Sequence, residues 1–399
     1  MALLEDLDRV RWHKVSHAYG VATDVPDLLR ALVDPDHASK KVRTGAERTN
    51  REIRDHVIHT LYGSVFHQGT VWQASPHVVP FLVEILRDGP PDPALRASLL
   101  EYLHHLALGY SEDWFPAMID PAIYFLAADA PPLDPRDRHD PSRMAGYARD
   151  CYRTVEAALP TLAPFVHDAD RGVAFAAVGL LGSFRAEASI TALRDAAARP
   201  GTSQAVALVA LARLDPAAIP ALAAPLLAAG ASAGGASSDR FAAVHAAAAL
   251  RLADPAHADS ATIDVLVHPL GELTELKTPL AGSIGTLVAR SLERVPPPHR
   301  DRAVRALGDI LALAARLTNL STTAALLTLT FGDEPAPPRA DTLTPPQRRA
   351  LELILAHGAF KIGNAAFGNY RELLTERGVP RDAAKLRAWL VGAPERGSD

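Results

Sequence analysis

The side chains able to do chemistry crowd one end of this chain. Nine of the sixteen histidines fall within the first 105 residues. About half of the aromatic residues fall within the first 125, whereas 185–330 holds one, Phe241. The best-spaced group is Glu52, His56 and His59. At about 100° per residue, Ile53, Val57 and Leu61 form one helix face and this trio the opposite one. Two imidazoles and a carboxylate so placed could ligate a divalent metal such as zinc or iron. The same spacing describes a solvated helix face with ordinary Glu–His electrostatics. His13 and His17 form a second pair four apart, expected on a first helix, and His67, His104 and His105 are further ligand candidates. No His-Glu-x-x-His motif ties them to a hydrolytic mechanism.

The loop from His67 to Pro76 is the second candidate. Gly69 permits a tight turn, and His67, Gln68 and Thr70 present donors and acceptors beside Trp72. Such a loop could line a binding groove, with His13 and His17 as neighbouring candidates. Alternatively Trp72 packs under the adjoining helices and Ser75-Pro76 caps the next one. The third candidate is basic. Lys40, Lys41, Arg43, Arg48, Arg51 and Arg54 are opposed within that run only by Glu47 and Glu52. A local charge near +4 could contact phosphate. A nucleic-acid binder of this length would repeat such charges along the chain, and the remaining arginines are scattered singly.

These residues need elements to hold them. With 399 residues, 48% hydrophobic and 22% charged, the chain can bury a large core, and its net charge of −5 argues against general attraction to nucleic acid. Alanine supplies about a fifth of the residues, a helix-forming excess. The one cysteine, Cys151, excludes an intrachain disulfide and a multi-cysteine zinc site, and fits a reducing cytoplasm. No apolar run reaches the roughly 18 residues of a membrane span, and the N-terminus has no signal-peptide pattern.

A short pattern recurs: an aliphatic residue, proline, any residue, then leucine or phenylalanine. It stands at Val25-Pro26, Val79-Pro80, Leu159-Pro160 and Ile219-Pro220, and at Ile190 with the proline lost. Proline is tolerated in a first helical turn, so each copy predicts a helix start. The starts at 159, 190 and 219 are about thirty residues apart, the length of a helical hairpin. No lasting alternation of β-branched and polar residues predicts a strand. Asp168-Ala169-Asp170-Arg171-Gly172-Val173, followed by an alanine-rich helix ending in Gly179-Leu180-Leu181-Gly182, resembles a HEAT-like repeat, of the short form seen in phycobilisome-lyase-type and armadillo-type proteins. The resemblance covers about 155–255 and extends to 74–108. It implies an architecture rather than an activity: an all-α, HEAT-like α-solenoid, a right-handed superhelix of helical hairpins with a small helical C-terminal cap.

The expected organisation has four parts. Residues 1–115 form a His- and aromatic-rich helical region with the first repeats. Residues 116–150 form an insertion with a Pro/Asp/Arg-rich loop. Residues 151–332 hold the HEAT-like repeats, and 345–392 a cap, for which a helix-turn-helix is the alternative. Stacked hairpins share one core and leave an extended surface suited to a protein or peptide. The first expectation is therefore a cytoplasmic, non-catalytic scaffold without cofactor, off the membrane, binding its partner through the N-terminal half. The alternatives are a metal-dependent enzyme using Glu52, His56 and His59, and a nucleic-acid binder using 40–54. Nothing in the chain names the partner or the oligomeric state.

Overall fold

A computed structural model describes residues 3–37, 49–109, 141–201, 203–230, 237–257 and 259–392, backbone only at 141–145 and 237. The described residues are overwhelmingly helical and the protein is all-α. None of these helices is long and apolar enough to cross a membrane. The chain divides into two units, Met1–Ala210 and Leu211–Asp399.

In the first unit, two short 3-10 turns lead to a β-hairpin of β1 (Ser16–His17) and β2 (Gly20–Val21). Helices α1 (Val25–Val33) and α2 (Asn50–Ser64) follow, then a second hairpin, β3 (Phe66–His67) and β4 (Thr70–Val71). Next come α3 (Ser75–Asp88), α4 (Pro93–Leu108), α5 (Pro141–Leu162), α6 (Arg171–Gly182), α7 (Glu187–Ala198) and α8 (Gln204–Leu214). The division falls inside α8, whose residues 205–212 are all buried. Helices pack on the next and on the next but one through the middle of this unit: α3 on α4 and α5, α4 on α5 and α6. That contact pattern is how an α-solenoid is built, because no single hairpin can bury its apolar face alone.

The second unit continues with α9 (Ile219–Gly230), α10 (Ser237–Ala253) and α11 (Ser260–Val267). A hairpin of β5 (Lys277–Thr278) and β6 (Gly282–Ser283) precedes α12 (Ile284–Leu292), α13 (Arg300–Leu313), α14 (Arg316–Phe331) and α15 (Pro345–His357). A last hairpin, β7 (Lys361–Ile362) and β8 (Ala365–Ala366), leads to α16 (Gly368–Glu376) and α17 (Ala383–Leu390). Here too alternate helices stack, α11 on α13, α12 on α14 and α13 on α15. α16 packs on α14 and α17 on α15, so the C-terminal helices close this stack. Residues 345–392 thus continue the layers instead of forming a separate body.

Several boundaries differ from the sequence expectation. Pro26 and Pro220 do open helices, but Pro80 lies inside α3 and Pro160 in the last turn of α5. α3 begins one turn earlier, at Ser75-Pro76, and Pro80 is exposed, where water can take the carbonyl its missing N–H leaves over. α5 begins at Pro141, within the segment assigned to the insertion, and packs on α3 and α4. Residues 116–140 of that insertion lie outside the described residues. The four hairpins were missed because two-residue strands are too short to show alternation.

Local signals set several helix ends. Thr49 and Glu52 make a reciprocal capping box at α2, Asp92 accepts from Ala94 and Leu95 at α4, and Asp170 accepts from Gly172 and Val173 at α6. Gly109 and Gly332 end α4 and α14 with φ of +71° and +64°, which a residue with a Cβ resists.

Carbonyls at other helix ends are met by arginines from neighbouring helices. Arg54 of α2 donates to Leu32 and Val33 at the end of α1 (3.0 and 3.3 Å) and reaches the Asp92 carboxylate (3.3 Å). Arg251 of α10, 3% exposed, donates to Ser291 and Arg294 around the end of α12 (3.3 and 3.1 Å), to Pro255 (2.6 Å) and to His257. Arg348 and Arg377 do the same for Leu390 and Gly332 at the ends of α17 and α14. Buried Asn319 spans two ends, donating to Leu311 and His357 while accepting from the Ala359 N–H.

This arrangement predicts unequal losses. Arg251→Met strands several buried carbonyls and should lower stability by about 3 kcal/mol. Arg302→Met removes only a partly exposed pair with Asp264 and should cost less than about 1 kcal/mol. Urea midpoints measured side by side check this, and equal losses would contradict it.

Candidate binding surface on the paired hairpins

The first two hairpins lie against each other. The Ala18 N–H donates to the Ser64 carbonyl and the Ala74 N–H to that of Ser16, both at 3.0 Å. The Ser16 N–H donates to Gln73 Oε1 at 3.2 Å. β1 is therefore held between β2 and the segment that leads into α3. The second turn, Gln68-Gly69, has positive φ at both residues (+50° and +85°), the backbone twist of a tight hairpin. Glutamine is an unusual occupant of the first position, since its Cβ is crowded there. Ser75 braces the turn from below. Its Oγ accepts from the Trp72 N–H at 2.7 Å and donates to the Val65 carbonyl at 2.6 Å. Ser75 thus ties the hairpin down and does not cap α3, as the sequence had suggested.

Strand alternation decides what this ledge shows. Phe66 and Val71, paired across the second hairpin, are buried, while His67 and Thr70 are half-buried on the other face. His67 donates from Nδ1 to the Gly63 carbonyl at 2.7 Å, which leaves Nε2 as the acceptor nitrogen. Tyr19 stands over it edge to face, with centroids 5.4 Å apart and rings at 72°. Tyr19 is 72% exposed and its neighbour Val21 49%. Gln68 lies exposed at the tip and Trp72 is half-buried, its indole N–H closed off from solvent without a hydrogen-bond partner.

Behind Tyr19, His17 is fixed on both ring nitrogens. Nδ1 accepts from the Tyr19 N–H at 3.0 Å, so Nε2 donates to Asp24 Oδ1 at 2.9 Å. That hydrogen bond holds the Asp24 carboxyl below its usual range, against the smaller opposing effect of partial burial. His17 therefore orients the hairpin and has no nitrogen left for a substrate or a metal.

The other sequence candidates fall elsewhere. His13 is exposed in a 3-10 turn and His17 is buried in a strand, so they share no helix face. Glu52 spends its carboxylate on the capping box, accepting from the Thr49 N–H at 2.7 Å and hydroxyl at 2.9 Å. His56 is half-buried and His59 exposed. The proposed metal trio is not assembled, and among the described residues no three His, Cys, Asp or Glu gather closely enough to hold an ion. His104 donates to Ser183 (2.8 Å), and His105 bonds the Tyr62 hydroxyl (2.8 Å) and stacks on Phe66 in a buried aromatic cluster. Burial lowers the His105 pKa and pushes the Cys151 thiol up, which disfavours the reactive thiolate. Of the basic run, Lys40, Lys41, Arg43 and Arg48 lie outside the described residues. Arg51 is exposed and 3.9 Å from Asp55, and Arg54 is the internal cap of α1.

The sequence singles out His67, Gln68, Thr70 and Trp72 as candidates and passes over Tyr19, Val21 and Asp24, which the fold places on the same ledge. The signal was available: His17-x-x-x-Val21 and His67-x-x-x-Val71 are the same hairpin twice.

No family model matches the chain, and no curated protein does. Among solved structures, one of the UNC-45 chaperone, described as binding and folding muscle myosin, aligns at 14% identity with a TM-score of 0.27. The alignment covers 92% of this chain and 54% of that one, so the chain spans about half its length. The fold assignment rests on the helix packing itself.

The Asp24 geometry has a pH signature. A depressed carboxyl pKa contributes stability above the unfolded value, near about 4, and loses it as pH falls through the folded value. The stability difference between the wild type and Asp24→Asn should stay level from about pH 7 to pH 5 and shrink at lower pH. Urea midpoints across that range test it. A difference that grows in acid would show that Asp24 is not stabilised as its carboxylate.

Proposed function

We propose that this chain is a HEAT-like, non-catalytic scaffold that binds a protein or peptide through the paired hairpins of its first unit. One observation carries the reading: Tyr19, an aromatic ring left 72% exposed on a ledge held by backbone hydrogen bonds. Large exposed aromatics on rigid supports are the usual anchors of protein interfaces, because they bury much area and lose little conformational freedom. The half-buried His67 packs against the ring, and the exposed Val21 and Gln68 of the two hairpins add apolar surface and a polar group, the makeup of a small recognition patch. A cytoplasmic location suits the single, buried thiol of Cys151.

The test is capture of partners from a lysate of the source cells on the immobilised full chain, followed by measured affinity for the captured protein. Tyr19→Ala and His67→Ala should weaken that affinity at least about tenfold. Leu313→Ala, an exposed leucine in the second unit, should leave it unchanged. A partner that binds both hairpin variants as well as the wild type would place the contact elsewhere and refute the assignment.

A further inference from the structure

Several carboxylates around Asp24 are held by arginine: Asp6, Asp8, Asp27, Asp55, Asp88 and Asp92 each have one within 4 Å. Asp24, like Asp34, is instead paired with a histidine: its Oδ1 accepts from the His17 Nε2–H, the backbone N–H groups of Asp24 and Val25 also favour its charged form, and its side chain is 53% exposed. No guanidinium or ammonium group among the described residues lies on it. Tyr19 has the same imidazole as neighbour, its ring 6.4 Å from that of His17 and its backbone N–H on His17 Nδ1. An exposed aromatic ring and a carboxylate with no cation on it among the described residues are thus both held by one buried histidine.

We propose that the Tyr19–Asp24 ledge receives an arginine side chain of the partner. This deepens the scaffold reading and rests on it. A guanidinium is planar and weakly hydrated, so it can lie on the tyrosine face while an N–H reaches the carboxylate. The half-exposed Asp24 carboxylate supplies the charge-assisted hydrogen bond, and exposed Val21 supplies apolar surface for the methylene stem. A lysine would make the ionic contact without the stacking. An acidic segment would meet Asp24 with like charge.

The test uses N-acetyl-arginine amide and its neutral isostere N-acetyl-citrulline amide as probes. Each is titrated to about 100 mM into the full chain with labelled valine methyls, the Val21 signals being assigned by their loss in Val21→Ile. The arginine probe should shift Val21 saturably, with an affinity at least about fivefold above that of the citrulline probe. Tyr19→Leu should abolish the shift. Asp24→Asn keeps an acceptor for His17, and unchanged Val71 methyl signals will report an intact hairpin pair. That variant should weaken the arginine probe at least about threefold and remove the sensitivity of binding to salt. The proposal is overturned if the arginine probe gives no saturable shift, if the two probes act alike, or if binding survives both substitutions. A captured protein that needs Tyr19 but is not displaced by the arginine probe would overturn the arginine site and leave the scaffold reading standing. Capture that ignores Tyr19 and His67 would sink the scaffold assignment itself.

Discussion

A helix that ends inside a stack leaves its last four carbonyls without intrahelical partners. In a protein made of short helices this recurs every dozen or so residues, and packing apolar faces does nothing to solve it. This chain meets the need with long donors reaching across from neighbouring helices. Arg54, Arg251, Arg348 and Arg377 each deliver their guanidinium to carbonyls of a helix other than their own, and buried Asn319 serves two ends at once. A positive charge at a helix C-terminus also suits the helix dipole. The consequence is rigidity between layers. Alanine and leucine contacts alone would let one helix slide on the next, whereas a guanidinium bonded to two or more fixed carbonyls sets the register. Arg54 shows the reach of the device, because the Asp92 it touches is itself the N-cap of α4, so one side chain ties α1, α2 and α4 together.

The hairpin ledge inherits that rigidity. β1 and β2 lead into α1, and β3 follows directly from α2, so the two hairpins stand on a helix pair that Arg54 holds in register. Their own bonds are few but well placed: Ala18 to Ser64, Ala74 to Ser16, and Ser75 between Trp72 and Val65. With the backbone anchored on the inner side, strand alternation sends Phe66 and Val71 inward, while Tyr19, in the turn between β1 and β2, and Val21 stay at the surface. The second unit secures its layers with hydroxyls as well. Thr318 of α14 bonds Ser283, Thr323 bonds Tyr370, and Thr278 of the third hairpin bonds His245 of α10.

Much of this was legible before any coordinates. The helical hairpins followed from the repeated starts about thirty residues apart and from the alanine-rich stretch ending in Gly179-Leu180-Leu181-Gly182, which forms α6. That 67–72 forms a tight turn was legible from Gly69. The errors share one cause. Glu52, His56 and His59 do occupy one side of α2, but helical periodicity says nothing of what else competes for a carboxylate, and Thr49 took it. His13 and His17 are four apart, but the chain between them is a 3-10 turn running into a strand. Pro160 fits the pattern of a helix start and sits near a helix end, because a proline near the last turn forfeits only one bond.

The chain by itself determined its class: alanine-rich periodic helices, punctuated by proline, glycine and aspartate, can bury their faces only by stacking on one another. It also determined several helix starts, since side-chain caps are local and need no neighbours. What the tertiary structure decided is which polar side chains remain available to a partner. Arg54 belongs to a basic run in sequence and became an internal cap, whereas Asp24 looks like a turn residue and became a carboxylate without a cation beside an exposed ring. The reason is physical. A side chain's type fixes what it can bond, but only the arrangement of distant segments settles whether that bond is already made inside the fold.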